Sequence, residues 1–313
     1  MNALTDAAVA RLRDAAMWPE LPADRYVDLR RIASGGMGTV YAARDTLLDR
    51  DVAIKVSNTA LPMSGETRGH LDRRLADESK ILASLEHPGI VPVHDAGTLT
   101  DGRTFYVMKL VNGHTLAEGV AHVPELSARL SIFDRIVETV SFAHAAGVVH
   151  RDIKPSNIMI GSFGEVLVLD WGVARIMPSG ADATDIDQGF RLGTPGFSAP
   201  ELQDGGAATA GPAADVFSLG TVLHGLVADA PRPKKLDAII NRCRSANPAD
   251  RYPSADVLRD DLIRYHAGQS VSAYRDTVFD KAAAWLGRHK VLLSLIAAYL
   301  LMRVAFLLYQ RTN

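Results

Sequence analysis

At 313 residues, with 47% hydrophobic and 22% charged side chains, the chain can bury one large or two smaller cores, and its composition is not that of a disordered protein. Its 34 basic and 36 acidic side chains nearly cancel, so no nucleic acid is expected among its partners. A single cysteine, Cys243, excludes an internal disulfide and fits a reducing compartment; it reads as a small core side chain on a helix rather than a nucleophile.

Residues 4–17 are Ala-rich and predict a short helix with Leu4, Ala8, Leu12 and Ala15 near one face. Trp18-Pro19-Glu20-Leu21-Pro22 breaks it. Acidic residues and the lack of a continuous apolar run argue against a signal peptide there. The arm over 1–25 is read as a strap packed on the domain that follows, with a partner-docking segment as the alternative. From Tyr26 the pattern turns to strand. Tyr26 to Ile32 alternates, Gly35-Gly36-Met37-Gly38 makes a flexible connection, and Thr39 to Ala43 resumes the strand. Such a unit lets backbone N–H groups approach phosphate oxygens, although a Gly-rich hairpin is more often only a turn.

Val52-Ala53-Ile54-Lys55-Val56 is an apolar strand interrupted by one Lys, which needs an anionic partner to offset its desolvation. A helix is predicted over Arg73–Leu85, apolar at Leu75, Ile81, Leu82 and Leu85, with Glu78 able to turn inward. Ile90 to His94 and Thr104 to Met108 read as two strands around a turn at Asp101-Gly102. Leu126 to Ala146 is a long helix with Leu130, Phe133, Ile136, Val137 and Val140 at helical spacing, ended by Gly147. It delivers the chain to His150-Arg151-Asp152-Ile153-Lys154-Pro155-Ser156-Asn157. Beyond that, Asp170-Trp171-Gly172 follows the strand Val166 to Leu169. Asp152, Lys154 and Asn157 form a compact polar group, and the oxygens of Asn157 and Asp170 suit a hard cation such as Mg²⁺. His144 reads as ordinary helix packing.

This motif set resembles the eukaryotic-type protein kinases, in their bacterial serine/threonine branch. The resemblance implies an α+β, two-lobed fold over 26–267, with a small β-rich lobe over 26–110 and a larger helical lobe over 111–267. It implies ATP as the phosphoryl donor, with Mg²⁺ or Mn²⁺. Ile32, Ala33, Gly35, Gly36 and Gly38 would form the phosphate loop, Ala33 departing from the first glycine. Val40, Ala53, Met108 and Met159 would surround adenine, and the backbones of Lys109 and Val111 would bind its edge. Lys55, paired with Glu78, would orient the phosphates. Asp152 would accept the substrate hydroxyl's proton, Lys154 would neutralise the transferred group, and Asn157 and Asp170 would hold the metal. Lys154 matches the serine/threonine subclass, so protein Ser and Thr hydroxyls are the implied acceptors, with autophosphorylation through a homodimer. A catalytically weak signalling scaffold is one rival, and a small-molecule phosphotransferase of the same fold is another.

By the same resemblance Val173 to Ala199 is the activation loop. Thr184 is favoured there over Ser179 as a phosphosite, with Arg151 as partner; Thr194 is assigned first to a structural contact with the catalytic loop. Glu201 is expected to pair with Arg251, and Asp215 to brace the catalytic loop. Only Asp229 to Lys235 separates two helices where relatives place a further one, leaving substrate docking thin. Residues 268–290 read as a polar juxtamembrane connector. Residues 291–309 are nearly all apolar, about 28 Å of helix. Eleven Leu, Ile, Val or Phe residues there set against Arg303 predict a transmembrane helix, hence a single-pass membrane protein with its catalytic domain in the cytoplasm, with a buried or partner-binding helix as the alternative.

Overall fold

The computed structural model describes residues 18–22, 24–35, 38–58, 65–119, 123, 125–176, 194–203, 210–278, 280 and 289–312. The arm helix expected over 4–17 and the loop candidates Ser179 and Thr184 lie outside them.

Five strands, β1 (Tyr26–Ser34), β2 (Gly38–Asp45), β3 (Arg50–Ser57), β4 (Val93–Thr98) and β5 (Thr104–Lys109), form an antiparallel sheet in the order β1-β2-β3-β5-β4. Helix α1 (Gly65–Ser84) enters between β3 and β4, starting well before the predicted Arg73. Ile90, read as part of a strand, makes only an isolated bridge to Val168. Alternation sorts the sheet's side chains onto two faces. Tyr41, Ile54, Val56, Phe105 and Val107 pack together on one, closed over by Leu21 and Leu99. Residues 18–22 strap that side: the Trp18 ring meets Tyr41 edge-on at 5.4 Å, and the Trp18 carbonyl accepts from Arg103 at 3.1 Å. On the other face Lys55 pairs in register with Val40 and Tyr106, and Ala53 with Ala42 and Met108.

The second lobe contains β6 (Gly113–Thr115), α2 (Leu116–Gly119), α3 (Leu126–Ala145), β7 (Val148–Val149), β8 (Ile158–Gly161), β9 (Val166–Val168) and β10 (Arg175–Ile176). It is completed by α4 (Pro200–Gln203), α5 (Pro212–Leu226), α6 (Lys234–Cys243) and α7 (Ala255–His266). Strands β6, β8 and β9 form one small sheet, and β7 pairs with β10. The apolar stripe of α3 is buried with Leu219 and Leu223 of α5, Ile239 of α6 and Leu258 of α7. Gly147, at φ +76, turns the chain out of α3 in a conformation that suits glycine. The short connection between α5 and α6 is pinned at its start: Arg129 pairs with Asp229 and donates to the Leu226 carbonyl at 2.9 Å. Helices α5 and α6 then approach so closely that a Cβ on Gly220 would lie 2.3 Å from Cys243 Cβ.

The start of the stretch read as a connector is docked rather than free. Asp261 accepts from Tyr252 Oη (2.8 Å), Ser272 N–H (2.8 Å), Ser272 Oγ (2.7 Å) and Ala273 N–H (3.1 Å), while Val271 enters the core.

The C-terminal expectation is corrected. Helix α8 (Lys290–Thr312) forms, but among the described residues no helix is long and apolar enough to cross a membrane. Arg303 interrupts the apolar run, and the charge-free segment before it, 291–302, covers 12 residues. That is about 18 Å of helix, against roughly 30 Å of hydrocarbon. The transmembrane helix over 291–309, the membrane as a partner and the single-pass placement with a cytoplasmic domain fall with it.

Candidate active site

Lys55 is buried in β3, so its charge must be met largely inside the protein. Helix α1 meets it: Lys55 Nζ donates to both Glu78 oxygens at 2.8 Å, and to Asp170 Oδ1 at 3.0 Å from across the lobes. Tyr106, opposite Lys55 in the sheet, donates its hydroxyl to Glu78 Oε1 at 3.1 Å. Burial works against the ammonium, but Glu78, Tyr106 and Asp170 outweigh it and hold the Lys55 pKa well above its ordinary value. Desolvation likewise opposes ionisation of Asp170, and the charge and hydrogen bond of Lys55 overcome it, leaving Asp170 below the usual carboxylate value. His150 and Lys154 add to that field, which couples the ion pair electrically to the loop below.

In that loop Asp152 is a hydrogen-bond centre. Its Oδ2 accepts from Lys154 Nζ at 2.8 Å and from Asn157 Nδ2 at 3.1 Å, and its Oδ1 from Thr194 Oγ1 at 3.0 Å. Lys154 Nζ also donates to Thr194 Oγ1 at 2.6 Å, so Thr194 closes a ring over the loop. Asn157 spends its amide nitrogen on Asp152, with a second bond to the Asp152 carbonyl at 2.9 Å, leaving its oxygen as the group able to act as a ligand. Arg151 and Asp170 adopt φ values of +66 and +59, a region non-glycine residues rarely occupy and which clusters at functional sites. Arg151 is buried and donates from Nε to the Val173 carbonyl at 2.7 Å, at the root of the expected activation loop. The His150 ring packs against Trp171 at 4.5 Å, tilted by 53°. Glu201 and Arg251 form the expected pair, doubly bonded at 2.7 and 2.9 Å.

The β1–β2 hairpin carries the loop residues. Ile32 is exposed, Ala33 pairs with Val40, and Gly35 N–H donates to the Gly38 carbonyl at 2.9 Å. Gly36 lies outside the described residues. Asn58 clamps the turn, donating to the Gly35 carbonyl at 2.5 Å and accepting from Thr39 Oγ1 at 2.7 Å. Gly38 answers a close approach, since a Cβ there would lie 2.8 Å from the Val56 carbonyl oxygen. Gly38→Ala is expected to push β2 off β3 and cost about 1–3 kcal/mol, read as a lower denaturant midpoint. Val40, Ala53 and Met108 share the face of Lys55. Lys109 ends β5 with its side chain exposed and its N–H bound to the Pro92 carbonyl at 3.2 Å; Val111 follows where the chain crosses to the second lobe. Met159 stands on β8, opposite Thr115 and Leu167, on the helical-lobe side.

The structure thus joins Lys55, Glu78 and Asp170 in one group and Asp152, Lys154 and Asn157 in another. Sequence reasoning missed Tyr106, Asn58 and His144. His144 is not mere packing: its Nδ1 accepts from the Ala255 N–H at 3.1 Å, which places the proton on Nε2, 2.9 Å from Asp215 Oδ2. A histidine inside an otherwise apolar helical stripe was the available signal.

Residues 26–261 match the family model described as protein kinase domain. The chain is 41% identical over 277 residues to serine/threonine-protein kinase PknA of Mycobacterium tuberculosis, an alignment covering 78% of this chain and 62% of that protein. It is 34% identical over 286 residues to PknB of Mycobacterium leprae, covering 80% and 44%. With PknD of Chlamydia pneumoniae it shares 31% identity over 299 residues, covering 78% of this chain and 31% of that relative, so it spans about a third of PknD's length.

Proposed function

The chain belongs to the protein kinase family, among its bacterial eukaryotic-like serine/threonine members, and we propose that it transfers the γ-phosphoryl group of ATP to protein Ser and Thr hydroxyls, its own included. The observation that carries the proposal is the simultaneous presence of the closed Lys55–Glu78–Asp170 contact and the ordered Asp152–Lys154–Asn157 group. Phosphoryl transfer asks mainly for positioning and charge neutralisation, and these two groups offer both.

The residues fit a metal that arrives with a nucleotide. Among the described residues no group of three or more His, Cys, Asp or Glu could hold an ion unaided. Mg²⁺ ordinarily takes one or two protein oxygens and completes its shell with phosphate and water, and Asn157 and Asp170 offer that many. Bound there, Mg²⁺ or Mn²⁺ would supply the charge that offsets the phosphates. Lys55 would orient the donor and Glu78 hold Lys55. Asp152 would take the acceptor hydroxyl's proton on a carboxylate oxygen, and Lys154 would offer its ammonium to the transferred group. Ile32, Ala33, Gly35, Gly36, Gly38, Val40, Ala53, Met108, Lys109, Val111 and Met159 would form the nucleotide bed. The catalytic unit is placed at 26–267, divided after Leu110.

A silent scaffold is the rival reading, and the complete charged set speaks against it. Incubating the full chain with γ-labelled ATP and a generic protein acceptor tests the proposal. Label is expected on the chain and the acceptor with Mg²⁺, lost with chelator and restored by Mg²⁺ or Mn²⁺. ATP binding with no transfer under any of these conditions would favour the scaffold.

A further inference from the structure

Glu78 is not the only acid that ties helix α1 to the sheet. Asp72 Oδ1 accepts from Ser57 Oγ at 2.5 Å and from the Thr104 N–H at 3.1 Å. Ser57 lies two residues beyond Lys55 on β3, and Thr104 two residues before Tyr106 on β5. Residues two apart on a strand share a face and stand about 7 Å apart, while residues six apart on a helix are about 9 Å apart along its axis. Helix α1 therefore meets the β3–β5 pair at two rungs. Asp72 binds Ser57 and Thr104 at one; Glu78 binds Lys55 and Tyr106 at the other. Leu75 is buried between them.

A rod held at one point can swing and roll about it; held at two it keeps its rotation. The Glu78 rung is electrostatically strong but sits at the end that faces the nucleotide, where Asp170 competes for the same ammonium. The Asp72 rung lies apart from that competition. We infer that Asp72 is a positioning residue for phosphoryl transfer, fixing the roll of α1 so that Glu78 is presented to Lys55. Both donors to Asp72 belong to the small lobe, so the inward setting of α1 is built into that lobe. The inference rests on the proposed kinase activity and deepens it.

Asp72→Ala, Asp72→Asn, Glu78→Gln and the double variant Asp72→Ala/Glu78→Gln test it in the full chain. Each is assayed with Mg-ATP, and hydrogen exchange of the α1 peptides is followed in parallel. Asp72→Ala removes two hydrogen bonds to a carboxylate and is expected to lower kcat about tenfold, with faster exchange in α1 that does not spread to α3 or α5. Asp72→Asn keeps an acceptor oxygen for both donors and is expected to retain most of the activity. In the Glu78→Gln background Asp72→Ala should cost little more, because its effect runs through Glu78. Unchanged exchange in Asp72→Ala, or an equal loss of activity in both backgrounds, overturns the inference. A wild-type chain that binds ATP without transfer, but whose α1 exchange rises on Asp72→Ala, would overturn the proposed activity and keep the two-rung latch.

Discussion

Replacing Asp152 with Asn is expected to reduce phosphoryl transfer by about 10²–10⁴-fold, the range for removing a positioned general base. ATP affinity should stay nearly unchanged. The substitution preserves volume and leaves the fold little to adjust, but it replaces one accepting oxygen with a donor. Asp152 receives hydrogen bonds from Lys154 and Asn157 on one oxygen and from Thr194 on the other. In the Oδ2 place the amide nitrogen would meet the Lys154 and Asn157 donors, and in the Oδ1 place it would meet the Thr194 hydroxyl, which can reverse and accept; in either setting the group can no longer accept the hydroxyl proton. The Lys55–Glu78–Asp170 contact shares no hydrogen bond with Asp152, so the half of the site proposed to orient the nucleotide is spared. Loss confined to the chemical step lowers kcat and kcat/KM together, whereas loss of uniform binding raises KM alone. Single-turnover transfer of labelled phosphate, beside titration with a fluorescent ATP analogue, separates the two. Retained transfer would remove Asp152 from the mechanism, and an equal fall in nucleotide affinity would make its role architectural.

Much of this site is legible in the sequence because its chemistry is local. Asp152, Lys154 and Asn157 fall within one short loop, so their order alone predicts that they meet. Lys55 is legible for another reason: an ammonium in the middle of an apolar strand demands a buried anion, and Glu78 on the next helix is at hand. What stays hidden depends on register and roll. Tyr106 reads only as strand until the β3–β5 register sets it opposite Lys55. Asp72 looks like any acid on a solvated helix until the roll of α1 brings it over Ser57 and Thr104. His144 stands out on the apolar stripe of α3, but its partners Asp215 and Ala255 lie far along the chain, and no periodicity points to Asp261, which gathers Tyr252, Ser272 and Ala273 around it. At the C-terminus the apolar count over 291–309 overstated the span, because one central Arg303 divides the run in two.

Asp215→Ala is expected to destabilise the chain by about 3–5 kcal/mol and to cost transfer even where the protein remains folded. Asp215 is fully buried, and every atom of its carboxylate is engaged. Its Oδ2 accepts from the His150 N–H at 2.7 Å and lies 2.9 Å from His144 Nε2, and its Oδ1 accepts from the Arg151 N–H at 2.7 Å. Alanine would leave three buried donors unmet, each costing about 1–3 kcal/mol, part of which relaxation and water recover. Arg151 holds an unfavourable left-handed backbone immediately before Asp152, and the Asp215 bond to its N–H offsets that strain. Without it Asp152 should lose its setting, so activity falls further than stability alone accounts for. Burial opposes ionisation of Asp215, but the hydrogen bond from His144 and those of the loop win and hold its pKa below the ordinary aspartate value. A depressed carboxylate contributes stability above its unfolded pKa and loses that contribution as pH falls through the folded one. The gap between wild type and Asp215→Ala should therefore be constant near neutrality and narrow only below about pH 3.8. Urea denaturation of both proteins at pH 7 and in the acid range reads it. Equal midpoints at pH 7 would mean that the catalytic loop holds its strained backbone by itself, and a gap that widened on acidification would contradict the sign of the linkage.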